Sequence, residues 1–211
     1  MTQAILIEGL SRAFGGRGVL VDVAMQLESG QIATIYGANG SDKTTLLRIM
    51  AGILRPDTGS VVVAGAPPGG GQSFFVPAGD RMLNWRLTGR QNLEFYARMW
   101  GMRPPGLSAE VDRAASLIGP LKLLQAAAGD RSTGQRRRLM LAIAFLSPAP
   151  VLLLDEPFAD LDAGGRRLVA AAMRGLADSG AVIVLATPHI EDSPIADRSF
   201  VLEDGVMRVM S

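Results

Sequence analysis

The apolar positions along the chain fall into two regimes. The stretches AILIEGLSRAF (4–14) and VLVDVAMQLESG (19–30) alternate or run apolar between turn residues, which predicts strands of an N-terminal antiparallel patch. QIATIYG (31–37) then predicts a strand entering a glycine turn, and SDKTTLLRIMAGI (41–53) follows with helical spacing. VVVAG (61–65) reads as a short strand, whereas PPGGGQS (67–73) is too rich in proline and glycine to be regular. From about Gly79 to Ala128 the pattern changes. NLEFYARMW (92–100) and AEVDRAASLIG (109–119) are amphipathic helices separated by GMRPPG.

The last third predicts a helix over 132–146, a buried strand at VLLLDEP (151–157), a helix over 164–180 and a buried strand at AVIVLATP (181–188). A helix or turn follows, then the hairpin-like SFVLEDGVMRV (199–209). Fully apolar strands alternating with helices imply a mostly parallel sheet covered on both faces. The expected fold is therefore α/β, with a helical insert over about 79–145 in one domain spanning 1–211.

Composition narrows the function. With 48% hydrophobic residues, 211 residues suffice for one buried core. The 21 basic and 20 acidic residues leave a net charge of +1, which argues against a nucleic-acid partner. Absence of cysteine excludes a disulfide scaffold and a cysteine-based zinc site. MTQAILIEGLSR lacks the pattern of a secretory signal, and no apolar run approaches the ~18 residues of a spanning helix. Work at a membrane would thus require a second, membrane-embedded chain.

GANGSDKTTLLRI (37–49) carries the first chemical signal. A phosphate loop follows G-x-x-x-x-G-K-[ST], and Gly37, Asn39, Gly40, Lys43, Thr44 and Thr45 stand where that pattern needs them, with Ala38, Ser41 and Asp42 completing the loop. A strand, such a loop and a helix N-terminus together form an anion hole of backbone N–H groups. Lys43 is placed to neutralise the β- and γ-phosphates of ATP and Thr44 to ligate Mg²⁺. Asp155 and Glu156, at the end of an apolar strand, supply the complementary acids: Asp155 for Mg²⁺, through water, and Glu156 to polarise an attacking water. Ser132 or Thr133 is a good N-cap for the helix 132–146, whose RRR run has a plain explanation as a solvated helix face.

The order of these pieces resembles the ATP-binding cassette (ABC) family, exporter type: phosphate loop, helical insert, S-T-G-Q opening a helix, LLLDEP, FADLDAGG and a histidine after the next strand. The resemblance implies a head-to-tail homodimer or heterodimer of cassettes that sandwiches ATP. Phe14 would stack on adenine, and Ser132, Gly134 and Gln135 would meet the partner's ATP. Asp162 would lie at the dimer interface, and His189 would contact the γ-phosphate, joining Glu156 and Lys43 in catalysis. It also implies an integral membrane permease as partner, and a peripheral location on the cytoplasmic face of the inner or plasma membrane. Trp85, Phe95, Tyr96 and Trp100 are then candidate groove residues for that permease, with core of the insert the favoured reading for Phe95 and Tyr96.

Four positions depart from the family pattern. Asp42 replaces the glycine before the lysine, Arg131 an apolar residue before the serine, and Ala78 a glutamine, while Pro188 intervenes between Thr187 and His189. A carboxylate about 5 Å from a phosphate charge costs roughly 3 kcal/mol at an effective dielectric of 20. An acid at a helix start instead gains about 0.3–1 kcal/mol, so Asp42 is expected to stand in for the missing phosphate. The resulting expectation is an ATP-hydrolysing subunit of an exporter. The alternatives are a non-hydrolysing regulatory or structural cassette, and a haem-exporter type of cytochrome maturation.

Overall fold

The computed structural model describes residues 3–120, 124–189 and 195–210. The chain runs β1 (Gln3–Phe14), β2 (Arg17–Glu28), β3 (Ile32–Tyr36), α1 (Lys43–Met50), β4 (Thr58–Val63) and β5 (Ser73–Val76), then α2 (Gly89–Met99), α3 (Gly106–Ser116) and α4 (Thr133–Leu146). It continues with β6 (Val151–Asp155), α5 (Ala163–Asp178), β7 (Val182–Thr187), β8 (Arg198–Glu203) and β9 (Val206–Val209). These elements form two compact units, one of residues 1–75, 149–156 and 176–211, the other of 76–148 and 157–175. The insert expected over about 79–145 lies within the second unit, which also takes in 157–175.

In the first unit, β1 and β2 form a hairpin through Gly15 and Gly16, and β4 pairs with the other edge of β1, giving a three-stranded antiparallel sheet. A six-stranded sheet has the order β5-β6-β7-β3-β8-β9. β3 is parallel to β7 and β8, and β6 to β7, while β9 returns antiparallel to β8. The strands β3, β6 and β7 are buried at every position, as their uninterrupted apolar runs require. One core joins Ile5, Ile7 and Val23 of the antiparallel sheet to Leu46, Leu47 and Met50 of α1 and to Leu153 and Val184 of the parallel sheet. The mixed α/β, mostly parallel fold is as the sequence pattern implies. The strand β5 is an addition, because four residues followed by Pro77 leave too short a pattern to read.

In the second unit, α2, α3 and α4 pack on one another. The run LMLAIAFL at the end of α4 is buried at all eight positions, as expected of a helix apolar all round. Two expectations fail here. The RRR run is not a solvated face: Arg137 is 5% exposed and donates from Nη1 to the Pro77 carbonyl at 3.1 Å, and Arg136 pairs with Asp80 at 2.7 Å. Phe95 is not core, being 53% exposed, whereas Tyr96 is half-buried and donates its hydroxyl to the Met82 carbonyl at 2.9 Å. Helical periodicity marks which residues share a face, but it does not say whether another element covers that face.

Candidate phosphate-binding site

Strand register explains how the loop meets the acids. Asp155 is level with Ala186 of β7, which is level with Ile35 of β3. β6 and β3 therefore end together with β7 between them, roughly 10 Å apart at ordinary strand spacing. The loop that leaves β3 spans that gap, bringing the start of α1 over the end of β6. Thr44 Oγ1 donates to Asp155 Oδ2 at 2.6 Å, and Asp155 is 3% exposed.

Lys43 is also buried, and its ammonium group closes back on the loop. It donates to the carbonyls of Gly37 at 2.7 Å and Ala38 at 2.8 Å, and to Ser41 Oγ at 3.3 Å. Burial holds its pKa below the usual 10.5, while Asp155, Glu156 and Asp42 pull it back up. The lysine is thus desolvated and held by neutral carbonyls, contacts that a phosphate could replace, while the neighbouring carboxylates oppose an anion there.

Asp42 occupies the N-cap of α1 with φ 66° and ψ 21°, the left-handed region that glycine takes most easily and aspartate better than most. The backbone turn of a phosphate loop survives the substitution. Its carboxylate caps no backbone N–H of the helix; Oδ1 accepts instead from Thr45 Oγ1 at 3.0 Å. The carboxylate therefore does not stand in for phosphate at the backbone N–H groups as expected, because it is drawn to the Thr45 hydroxyl and leaves the first turn of α1 without a side-chain cap. Gly37 is required on other grounds, because a Cβ there would meet the Leu202 carbonyl at 2.4 Å.

Glu156 also has a positive φ, of 50°, and its N–H donates to the Ala186 carbonyl at 2.8 Å. A glutamate in this region is strained, which interrupts the strand's alternation at the acid. A cavity of about 250 Å³ is lined by Asn39, Gly40, Asp42, Lys43, Thr44, Thr45, Asp155 and Glu156. A second, of about 520 Å³, shares Asn39, Gly40 and Asp42 with it and adds Ala38, Ser41, Arg17, Gly18, Val19 and Leu202–Gly205. Sequence reasoning missed the last two groups. The turns at Gly15–Gly16 and Asp204–Gly205 are legible, but the Val21 N–H to Gly205 carbonyl bond that ties the hairpins together is long-range.

Phe14 and His189 line neither cavity. Phe14 is exposed at the tip of the β1–β2 hairpin. His189 is exposed just beyond β7, and its N–H donates to Thr187 Oγ1 at 3.2 Å.

In the second unit, Ser132 caps α4 with a complete capping box: its Oγ accepts from the Gln135 N–H at 3.3 Å, and Gln135 returns a bond to the Ser132 N–H. A Cβ on Gly134 would meet the Asp160 carbonyl at 2.4 Å, so packing alone requires glycine there. Asp162 Oδ1 accepts from the Gly165 N–H at 2.6 Å and from Arg138 at 2.8 Å, holding the start of α5. Ser132, Gly134, Gln135, Asp160, Asp162, Arg131, Arg138 and Pro120 line a cavity of about 530 Å³.

A family model described as ABC transporter matches residues 20–159, a span that includes the loop, the Ser132 helix start and the Asp155–Glu156 pair. The chain belongs to the ABC transporter family. It is similar to the doxorubicin resistance ATP-binding protein DrrA of Mycobacterium tuberculosis, 30% identical over 217 residues, covering 97% of this chain and 64% of that protein. The cytochrome c biogenesis ATP-binding export protein CcmA of Rhizobium meliloti is 33% identical over 187 residues, covering 87% and 90%. The solved structure of cbiO1 from Clostridium perfringens, part of the ABC transporter complex cbiONQ, superposes with a TM-score of 0.87 at 25% identity over 99% of this chain and 88% of that one. This ABC transporter chain thus spans 64% of the length of the mycobacterial relative.

Proposed function

We propose that this chain is the nucleotide-binding subunit of an exporter, binding and hydrolysing ATP to drive a separate membrane permease. The observation that carries the reading is the meeting of Lys43, Thr44, Asp155 and Glu156 around one cavity at the carboxyl edge of the parallel sheet. Lys43 gives up its loop carbonyls for the β- and γ-phosphates, and the N–H groups at the start of α1 complete the anion hole. The hydroxyl of Thr44 and the buried carboxylate of Asp155, 2.6 Å apart, are hard oxygen donors suited to Mg²⁺, directly and through water. When bound, that ion neutralises phosphate charge. Glu156 orients and polarises the water, and His189 contacts the γ-phosphate.

The name of CcmA, an export protein, supports the exporter class, and that of cbiO1, part of a transporter complex, supports a multisubunit assembly. Among the described residues no helix is long and apolar enough to cross a membrane, consistent with a peripheral subunit on the cytoplasmic face. Trp85, Phe95 and Met99 are 52%, 53% and 64% exposed, which supports the helical unit as the permease contact. Ser132, Gly134, Gln135 and Asp162, gathered around the second unit's cavity, form the half-site that a second cassette's ATP meets in a homodimer or heterodimer.

Asp42 favours a second reading, a cassette that binds Mg·ATP weakly and acts as a regulatory or structural subunit. Steady-state ATPase measurement of the purified chain separates the two. Turnover that Glu156→Gln abolishes supports the enzyme. Mg·ATP binding without turnover supports the second reading.

A further inference from the structure

Phe14 ends β1, paired with Arg17 across the hairpin, and is 45% exposed. A ring at such a tip has little around it to hold one orientation. The residues just before it, however, are gripped from the side by a single aspartate. The Asp57 N–H donates to the Ser11 carbonyl at 2.9 Å, Asp57 Oδ1 accepts from Arg12 Nη1 at 2.5 Å, and Oδ2 accepts from the Ala13 N–H at 2.7 Å. The guanidinium so held has its central carbon 4.7 Å from the Phe14 ring centroid. Arg12 Nε is buried without a hydrogen-bond partner, so Asp57 and the ring are what order the group.

One face of Phe14 is therefore backed by a cation whose place a carboxylate fixes, while much of the ring stays open to a second partner. The cavity of about 520 Å³ begins three residues along the chain, at Arg17. We infer that Arg12, fixed by Asp57, is a positioning residue that holds Phe14 as a preorganised stacking platform for the base of the bound nucleotide. The inference rests on the ATP-binding reading above and adds residues that reading does not use. A ring already oriented loses less freedom when a base stacks on it, so the Asp57–Arg12–Phe14 chain acts on affinity for the base and leaves the phosphates alone.

The test titrates the full chain, with Mg²⁺, against ATP and against inorganic tripolyphosphate, which has no base. Phe14→Ala is expected to weaken ATP about tenfold, the range for loss of one aromatic–base stack. Arg12→Ala is expected to weaken it about two- to fivefold, the range of an exposed cation–π contact. Arg12→Lys recovers most of that loss, and no variant changes tripolyphosphate binding. In the ligand-free protein the δ-protons of Arg12 show an upfield ring-current shift that Phe14→Leu removes. Normal ATP binding by Arg12→Ala beside a weakened Phe14→Ala overturns the inference and leaves the site reading standing. Weaker tripolyphosphate binding by Arg12→Ala also overturns it, since Arg12 then supports the loop as a whole. Full ATP binding by Phe14→Ala removes Phe14 from the site. Failure of every form to bind ATP brings down the functional reading itself.

Discussion

Two helix starts in this molecule solve the same problem in opposite ways. The start of α4 is closed by its own sequence, Ser132 and Gln135 exchanging both hydrogen bonds of a capping box. The start of α1 has no side-chain cap, although Asp42 occupies the capping position, because the carboxylate is drawn to the Thr45 hydroxyl. At the start of α4 Ser132 and Gln135 satisfy each other, and the glycine is demanded by the Asp160 carbonyl. Around α1 a buried lysine rests on loop carbonyls, and the helix start lines a cavity together with the carboxylates of Asp42, Asp155 and Glu156. One helix start is closed by its own side chains, and the other, in the function proposed above, is completed by a bound phosphate. The Ser132 Oγ uses a lone pair in its cap, which leaves its proton free to donate to another group.

The sharpest way to break this contrast is to remove the cation from the open end. Lys43→Ala is expected to lower Mg·ATP affinity at least about a hundredfold, by the loss of a charge-assisted contact to phosphate in a desolvated site. Calorimetry reads it, and an unchanged affinity would place the nucleotide elsewhere. Asp42→Gly acts in the other direction. Removal of a like charge worth roughly 3 kcal/mol before screening should tighten Mg·ATP by about ten- to a hundredfold. The ligand-free protein should be equally or less stable, having lost the Thr45 bond; equal nucleotide affinity in both forms would sink the role given to Asp42.

At the closed end, Ser132→Ala should cost about 1 kcal/mol of unfolding free energy with no ligand present. Denaturant unfolding measures it, and a null result would mean that the capping box contributes nothing. The smallest effect concerns Lys43 itself. Its folded pKa lies below 10.5 because burial outweighs the pull of Asp155, Glu156 and Asp42. The unfolded chain therefore binds more protons between the lowered value and 10.5, and this group's contribution makes stability rise with pH across that window. The chain has only two lysines, Lys43 and Lys122, so the Cε resonance of labelled lysine can be followed directly. Asp42→Gly should move the Lys43 midpoint further down, and a midpoint at or above the ordinary value would contradict the desolvated site.

Much of this was legible in the sequence because the signals are local. The apolar runs of β3, β6 and β7, the glycines of the loop and the acids ending β6 announce a parallel sheet with a loop and two acids at its carboxyl edge. Aspartate in place of glycine was also readable as a left-handed residue, although its choice of Thr45 over a backbone N–H was not. What stayed hidden depends on packing between distant segments. Arg137 reads as solvated in the sequence but sits against the Pro77 carbonyl, and Phe95 reads as core but is exposed. Gly134 looked like a ligand contact, yet the Asp160 carbonyl suffices to require it. The Asp57 grip on Arg12 joins residues 45 apart, a distance across which periodicity carries no information.

Amide hydrogen exchange, residue by residue, tests the difference between the two helix starts most directly. In the ligand-free chain the Gln135 amide should already be slow, held by Ser132, while the amides of residues 43–45 exchange rapidly. Mg·ATP should then slow the amides of 43–45 strongly. Amides at 43–45 already protected without ligand, or left unchanged by saturating Mg·ATP, would contradict the claim that the start of α1 is completed by a phosphate.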